Sequence, residues 1–253
     1  MRVLVACERS GCVRDAFLAL GHDAWSCDLM PSETSGPHLQ GDVFAVLDCG
    51  WDLMIAHPPC TYLSASWLHW TTRGLRPYEK TLEALKFVRR LWIESEHIPF
   101  VCVENPVGIL STRWRPPDQI IQPWQFGEDA SKRTCLWLKG LPLLRPTKVV
   151  APKGWMHVNG LEPVPKNPQS RIFMVKRDRM LFATEIGPGQ EAPPLCWSNQ
   201  TKSGQNKLGL SSERSYLRAK TYPGVARAMA EQWGPYIVNF LQKKQQQQQQ
   251  QKT

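Results

Sequence analysis

The sequence has no Cys-x-x-Cys pair, no apolar run of membrane-spanning length and no apolar leader at its start. Each absence excludes something. The eight cysteines, Cys7, Cys12, Cys27, Cys49, Cys60, Cys102, Cys135 and Cys196, stand singly. They predict free thiols, with neither a disulfide framework nor a zinc module, and no metal is expected. Without about 18 consecutive apolar residues no transmembrane helix is expected, and MRVLVACERSG does not read as a signal peptide, so a cytoplasmic protein is expected. Acidic residues are outnumbered, 22 against 31 Lys and Arg, for a formal net charge of +9. That balance suits a polyanion such as DNA or RNA as partner, and it also serves plain solubility. A chain of 253 residues can bury a core as one large domain or as one domain with an appendage, and a monomer is expected.

What is present begins with order. Met1–Cys7 is a short β-branched apolar run, Glu8-Arg9-Ser10-Gly11 a polar turn, and Val13–Leu20 carries apolar residues at helical spacing. Gly21-His22 closes that helix, and Asp23–Cys27 predicts a second strand ending at Asp28. An acidic residue there is where nucleotide-binding sheets hold ribose hydroxyls. Gly41-Asp42-Val43 follows a loop rich in Pro, Ser and Gly. Asp52–Ala56 predicts a third strand running into His57-Pro58-Pro59-Cys60, and Pro77–Ile93 a helix. Pro99–Val103 predicts a strand ending in Glu104-Asn105-Pro106. Ligands in open α/β sheets sit beyond the carboxyl ends of the strands, which sets Cys60 and Glu104 on one face.

The two prolines end the strand and hold Cys60 at a set angle. A thiolate so presented can add to carbon 6 of a pyrimidine, making carbon 5 nucleophilic. A carboxylic acid at ring nitrogen 3 offsets the charge that develops. Against this stand plainer readings: a cysteine that only packs, Asn105-Pro106 as a turn initiator, Asp28 and Asp42 as strand-end caps, and Lys132-Arg133 as a solvated or phosphate-contacting pair. His57 reads as a packed or hydrogen-bonded residue, and the eleven tryptophans mostly as packing.

Pro58-Pro59-Cys60 and Glu104-Asn105-Pro106 resemble the PCQ and ENV motifs of DNA cytosine-5 methyltransferases, in that family's order. The runs MRVLVACE, HPPCTYLS, ENPVG and SKRTCLWLKGLP are similar to a compact phage-encoded group of these enzymes over roughly residues 1 to 145, with an echo in TYPGVARAMAEQW. The resemblance implies a Rossmann-like α/β, class I S-adenosylmethionine-dependent methyltransferase fold with a small loop-rich subdomain. It implies Cys60 as nucleophile, Pro59 as the residue that orients it, Glu104 as the acid at nitrogen 3, and Arg133, with Lys132, as the buttress of acid and base. Thr61 and Ser64 fall at the start of a DNA-closing loop over residues 61 to 76. For S-adenosylmethionine it implies Cys7, Glu8, Ser10, Gly11, Asp28 (ribose), Leu29, Asp42 (adenine amino group), Val43 and Pro58. DNA is the implied partner.

The expected organisation is a catalytic and cofactor domain over 1–139, a DNA-recognition region over 140–212, a returning segment over 213–241 and a disordered glutamine-rich tail over 242–253. Three other functions stay open. One is transfer of carboxymethyl from carboxy-S-adenosylmethionine, which would want a basic side chain such as Arg9 or Arg14 near the transferred group. Another is a folate-dependent pyrimidine nucleotide enzyme, which the β-turn-α-β start and Asp28 disfavour, and the last an inactive DNA-binding relative.

Overall fold

The computed structural model describes residues 1–150, 156–157, 172–177, 180–185, 197–200, 207–208 and 214–251. Its elements in chain order are β1 (Arg2–Ala6), α1 (Cys12–Leu18), β2 (Asp23–Asp28), β3 (His38–Gln40), β4 (Leu53–Ala56), α2 (Ala65–Thr71), α3 (Glu79–Glu94), β5 (Phe100–Pro106), α4 (Leu110–Arg113), β6 (Gln119–Ile121), β7 (Thr134–Lys139), β8 (Met156–His157), β9 (Ile172–Arg177), β10 (Met180–Glu185), α5 (Arg214–Ala219) and α6 (Pro223–Gln250). The chain divides into two compact units. One takes Met1–Ile121, Arg133–Arg145 and Ser212–Thr253, the other Gln122–Lys132 and Pro146–Ser211. The first unit thus runs past the expected break after residue 139, and the second draws in an earlier segment.

The first unit is built on a seven-stranded sheet of order β3-β2-β1-β4-β5-β7-β6. All neighbours from β3 to β5 are parallel, and β7 is antiparallel to both β5 and β6. Central parallel strands are covered on both faces, which is why Val3–Ala6 and Leu53–Ala56 are continuous apolar runs and fully buried. Helix α3 turns Thr81, Leu85, Val88 and Leu91 inward at spacings of four, three and three, the period of one helical face. Helix α6 opens with Pro223 at its first turn and packs on α1. A β-carbon at its Gly234 would lie 2.7 Å from His22 Nε2, so a larger residue there would require the His22 ring to move.

This strand order, with its single antiparallel strand between β5 and β6, is the class I S-adenosylmethionine-dependent methyltransferase fold, an α/β Rossmann-like arrangement. The order reverses between β1 and β4, so the crevice lies at their carboxyl ends. A difference from expectation is the tail. Helix α6 continues through the exposed glutamines to Gln250, because glutamine is a good helix former and no Gly, Pro or β-branched residue interrupts the tract. In the second unit β8, β10 and β9 form a three-stranded antiparallel sheet, and Trp124 stacks on Trp197 with ring centroids 5.9 Å apart. Among the described residues no helix is long and apolar enough to cross a membrane, and no group of three metal-binding side chains is found.

Candidate active site

Two strand ends are tied into one frame. Beyond β4 the ladder stops because Pro58 and Pro59 have no N–H to give, and the His57 N–H makes the last bond, to Ala6 O at 2.9 Å. Pro58 is buried, Pro59 exposed and Cys60 half-buried. The Cys60 carbonyl then accepts from Leu63 N and Ser64 N at 3.1 and 3.0 Å, closing a turn whose first residue is the cysteine. At the end of β5 the buried Asn105 donates from Nδ2 to the Pro58 carbonyl at 2.8 Å. Ile109 N donates to Leu63 O at 3.0 Å, and Ser64 bridges Gly108. The Cys60 turn and the turn after Glu104 are therefore held by each other.

Glu104 is buried in β5 opposite Leu136 of β7, and its Oε2 lies 3.1 Å from His57 Nδ1. Its charge reaches two neighbouring thiols. Burial pushes Cys102 well up, and the Glu104 charge adds to that. Cys135 is raised by burial and by Glu104, with Ser111 and Arg133 offsetting part of the effect. Neither is available as a thiolate at neutral pH, whereas Cys60 stands half open to solvent at the strand end. Cys196 lies outside the described residues. Arg133 is exposed and immediately precedes Thr134, which pairs with Pro106, two residues after Glu104. Lys132 falls in the second unit.

Across the crevice, β1 is followed by Cys7, whose φ of 58° is rare for a residue with a β-carbon. Burial pushes its thiol up, and so do the charges of Asp28 and Asp42 and the neighbouring Cys27. Asp28 Oδ1 accepts from Met30 N at 2.9 Å, and Asp42 Oδ1 caps a short turn by accepting from Phe44 N at 3.1 Å, with Val43 buried beneath. Beside Asp28, Leu29 is 73 % exposed, an apolar side chain open to solvent. The turn before α1 is not an open cradle. Buried Glu8 accepts from Val13 N at 2.8 Å, Arg14 N at 3.2 Å and Ser10 Oγ at 3.1 Å, and a β-carbon at Gly11 would run into Arg14 and Thr34.

Glu8 thus supplies the anion that a helix N-terminus favours, and Asp28 and Asp42 add negative charge nearby. A phosphate-bearing dinucleotide is repelled here. Hydroxyl, amino and cationic groups are welcome, so the residues present fit the nucleoside and sulfonium of S-adenosylmethionine.

A scan against protein-family models finds no match, and neither does a search of curated proteins. Among solved structures, one similar chain is described as a candidate DNA modification methyltransferase encoded within a prophage (E. coli), with 14 % identity and a TM-score of 0.37 over 59 % of this chain and 52 % of that one. Another is the Entamoeba histolytica methyltransferase EhMeth, with 13 % identity and a TM-score of 0.40 over 60 % and 58 %. The chain spans less than two thirds of the length of each. The fold rests on the strand order and not on these likenesses.

The segment after Cys60 carries Thr61, exposed, and Ser64, whose Oγ lies 3.1 Å from Ser66 Oγ. It continues into α2, which buries none of its residues. Arg76 stacks over Trp67 at 4.4 Å and Arg73 over Trp70 at 6.0 Å, so each cation of this segment lies over an aromatic face. Sequence reasoning passed over three residues: His57 as the partner of Glu104, Asn105 as the tie to Pro58, and Gly108 as the point where the turns touch. The signal was the strand pairing itself, since Ala56 opposite Val103 carries His57 to Glu104 and Pro58 to Asn105.

Proposed function

We propose that this protein is a DNA cytosine-5 methyltransferase acting through a covalent adduct between Cys60 and a cytosine turned out of its duplex. The observation that supports it most is the shared frame of the Cys60 and Glu104 turns, which holds a thiol and a buried carboxyl group beside the fold's ligand crevice. Unstacking the base costs a few kcal/mol, and on the segment that follows Cys60 the exposed Arg73 and Arg76 offer charge and the exposed Trp70 an aromatic face.

Cys60 enters as thiolate, its proton having gone to solvent, and Sγ bonds to carbon 6 while the electrons of the 5,6 double bond move into the ring. Glu104, as the acid, passes its proton to nitrogen 3, so the adduct is neutral and carbon 5 is nucleophilic. S-adenosylmethionine, when bound, supplies the electrophilic methyl group for carbon 5. Solvent then takes the carbon 5 proton, its electron pair restores the double bond, the carbon–sulfur bond breaks toward Cys60, and the nitrogen 3 proton returns to Glu104.

A plain methyl group is supported over carboxymethyl by the two candidate cations. Arg14 is 0 % exposed and bonded to Ser26, Ser32, Thr34 and Ser35, and Arg9 pairs with Glu33 at 2.9 Å while stacking on Tyr216. Arg14 is committed inside the protein, and Arg9 is held in its pair with Glu33. Nucleoside mass spectrometry of DNA incubated with S-adenosylmethionine and either wild type or Cys60→Ser tests the reading. We expect 5-methylcytosine from wild type and none from the variant. A product that survives Cys60→Ser, or methylation on an exocyclic nitrogen, would overturn it.

A further inference from the structure

Strands β4 and β5 run parallel with Ala56 opposite Val103, so one step beyond the ladder His57 stands beside Glu104. His57 Nδ1 lies 3.1 Å from Glu104 Oε2, and the two side chains are 10 % and 8 % exposed. The backbone of His57 is fixed in turn by its bond to Ala6 of β1. The other ring nitrogen, Nε2, is buried and makes no hydrogen bond among the described residues. A buried N–H without an acceptor costs more than a bare lone pair, so the proton belongs on Nδ1, where a carboxylate receives it.

We infer that His57 is a positioning residue for Glu104: its Nδ1–H donates to Oε2, fixes the plane of the carboxyl group, and tightens as Glu104 gives its proton to nitrogen 3 of the base. The inference rests on the function proposed above. Its physical content is differential. With Glu104 protonated the bond is neutral, and with Glu104 ionised it is charge-assisted and roughly twice as strong, so it favours the adduct over the bound base. Desolvation of both partners keeps water from levelling that difference. Nothing is consumed: the imidazole keeps its proton while the carboxyl proton passes to the base and comes back.

The test compares wild type, His57→Ala, His57→Asn, Glu104→Gln and the His57→Ala/Glu104→Gln double variant by steady-state kinetics. In parallel, the rate of covalent adduct formation is followed on DNA containing 5-fluorocytosine, whose fluorine cannot leave as a cation. His57→Ala should lower kcat about tenfold to a hundredfold with KM for DNA unchanged, the loss expected for a hydrogen bond to a charged group. His57→Asn puts an amide N–H near the place of Nδ1–H and should restore most of the rate. In the Glu104→Gln background His57→Ala should add nothing, because it acts through that carboxyl group. Full activity of His57→Ala, no rescue by asparagine, or additive losses would each overturn the inference. If His57→Ala does not fold, the asparagine variant and its cycle with Glu104→Gln decide. A wild type that forms no adduct would instead overturn the proposed function, whatever His57 does.

Discussion

Replacing Gly108 with alanine puts a methyl group where the Leu63 backbone already is. The added β-carbon would overlap the Leu63 carbonyl oxygen and sit 3.0 Å from its carbon and 3.1 Å from Ser64 Cα. Gly108 is not among the glycines of positive φ, so alanine suits its backbone and the effect is steric alone. All the obstructing atoms are main chain, so one turn must retreat by roughly 1 Å, a misplacement that can cost about a hundredfold in rate. The Ile109 N to Leu63 O bond at 3.0 Å is strained at the same time, a loss of about 1 kcal/mol. In a unit of this size that lowers Tm by about 2–4 °C per kcal/mol. Gly108→Ala should therefore leave a folded protein with slightly lower Tm and about a hundredfold lower kcat, measured by methyl incorporation into DNA beside a thermal melt. A variant with the wild-type rate would refute the idea that the two turns place Cys60 by bracing each other.

Arg14→Met should cost about 1–3 kcal/mol in urea unfolding with little change in slope, because it removes the bonds of the buried guanidinium to the Ser26, Ser32 and Thr34 hydroxyls, which keep their other partners. A loss under 1 kcal/mol would mean that the loop over residues 31–37 does not depend on it. Burial, helped by Asp28 and Asp42, pushes the Cys27 thiol up to about 11 from 9.0. The raised value favours the folded state below pH 9 and is lost as pH climbs toward 11, since the unfolded chain ionises first. Stability should accordingly fall across that window in wild type and fall less in Cys27→Ala, read by chemical denaturation at stepped pH.

The strands were legible because parallel central strands must be apolar on both faces, and Val3–Ala6, Leu53–Ala56 and Phe100–Val103 are. Their ends were legible too, because prolines at 58, 59 and 106 stop the ladders where chemistry begins. The Glu104 partner was within reach of the same reasoning, since aligning two strand ends sets His57 against it, but alignment between strands is a property of pairs and not of either segment. Glu8 was harder. Its place in a ligand-binding turn pointed outward to a cofactor, whereas its carboxylate turns inward to the amides of Val13 and Arg14, free donors at the start of α1 that an acidic side chain satisfies. The glutamine tract differs from expectation because composition suggests disorder, while the preceding helix, already past Pro235, extends through a tract that holds no breaker of its own.

The two banks of the crevice are held by different forces, and this has a functional consequence. The nucleophile bank is fixed largely by main-chain bonds, Leu63 and Ser64 to Cys60 and Ile109 to Leu63, to which the Asn105 and Thr81 side chains and the buried His57–Glu104 pair are added. Such bonds are indifferent to salt. The cofactor bank leans on charged side chains: Glu33 takes both Arg9 and Lys220, at 2.9 and 2.7 Å, and Tyr216 of α5 lies between the two cations. These ion pairs are partly exposed, so each is worth at most about 1 kcal/mol and weakens as salt rises. Together they tie α5 to the turn after β1 and the loop after β2, the segments that carry Glu8, Asp28 and Leu29. High salt should thus loosen the cofactor bank before it touches the geometry of Cys60 and Glu104.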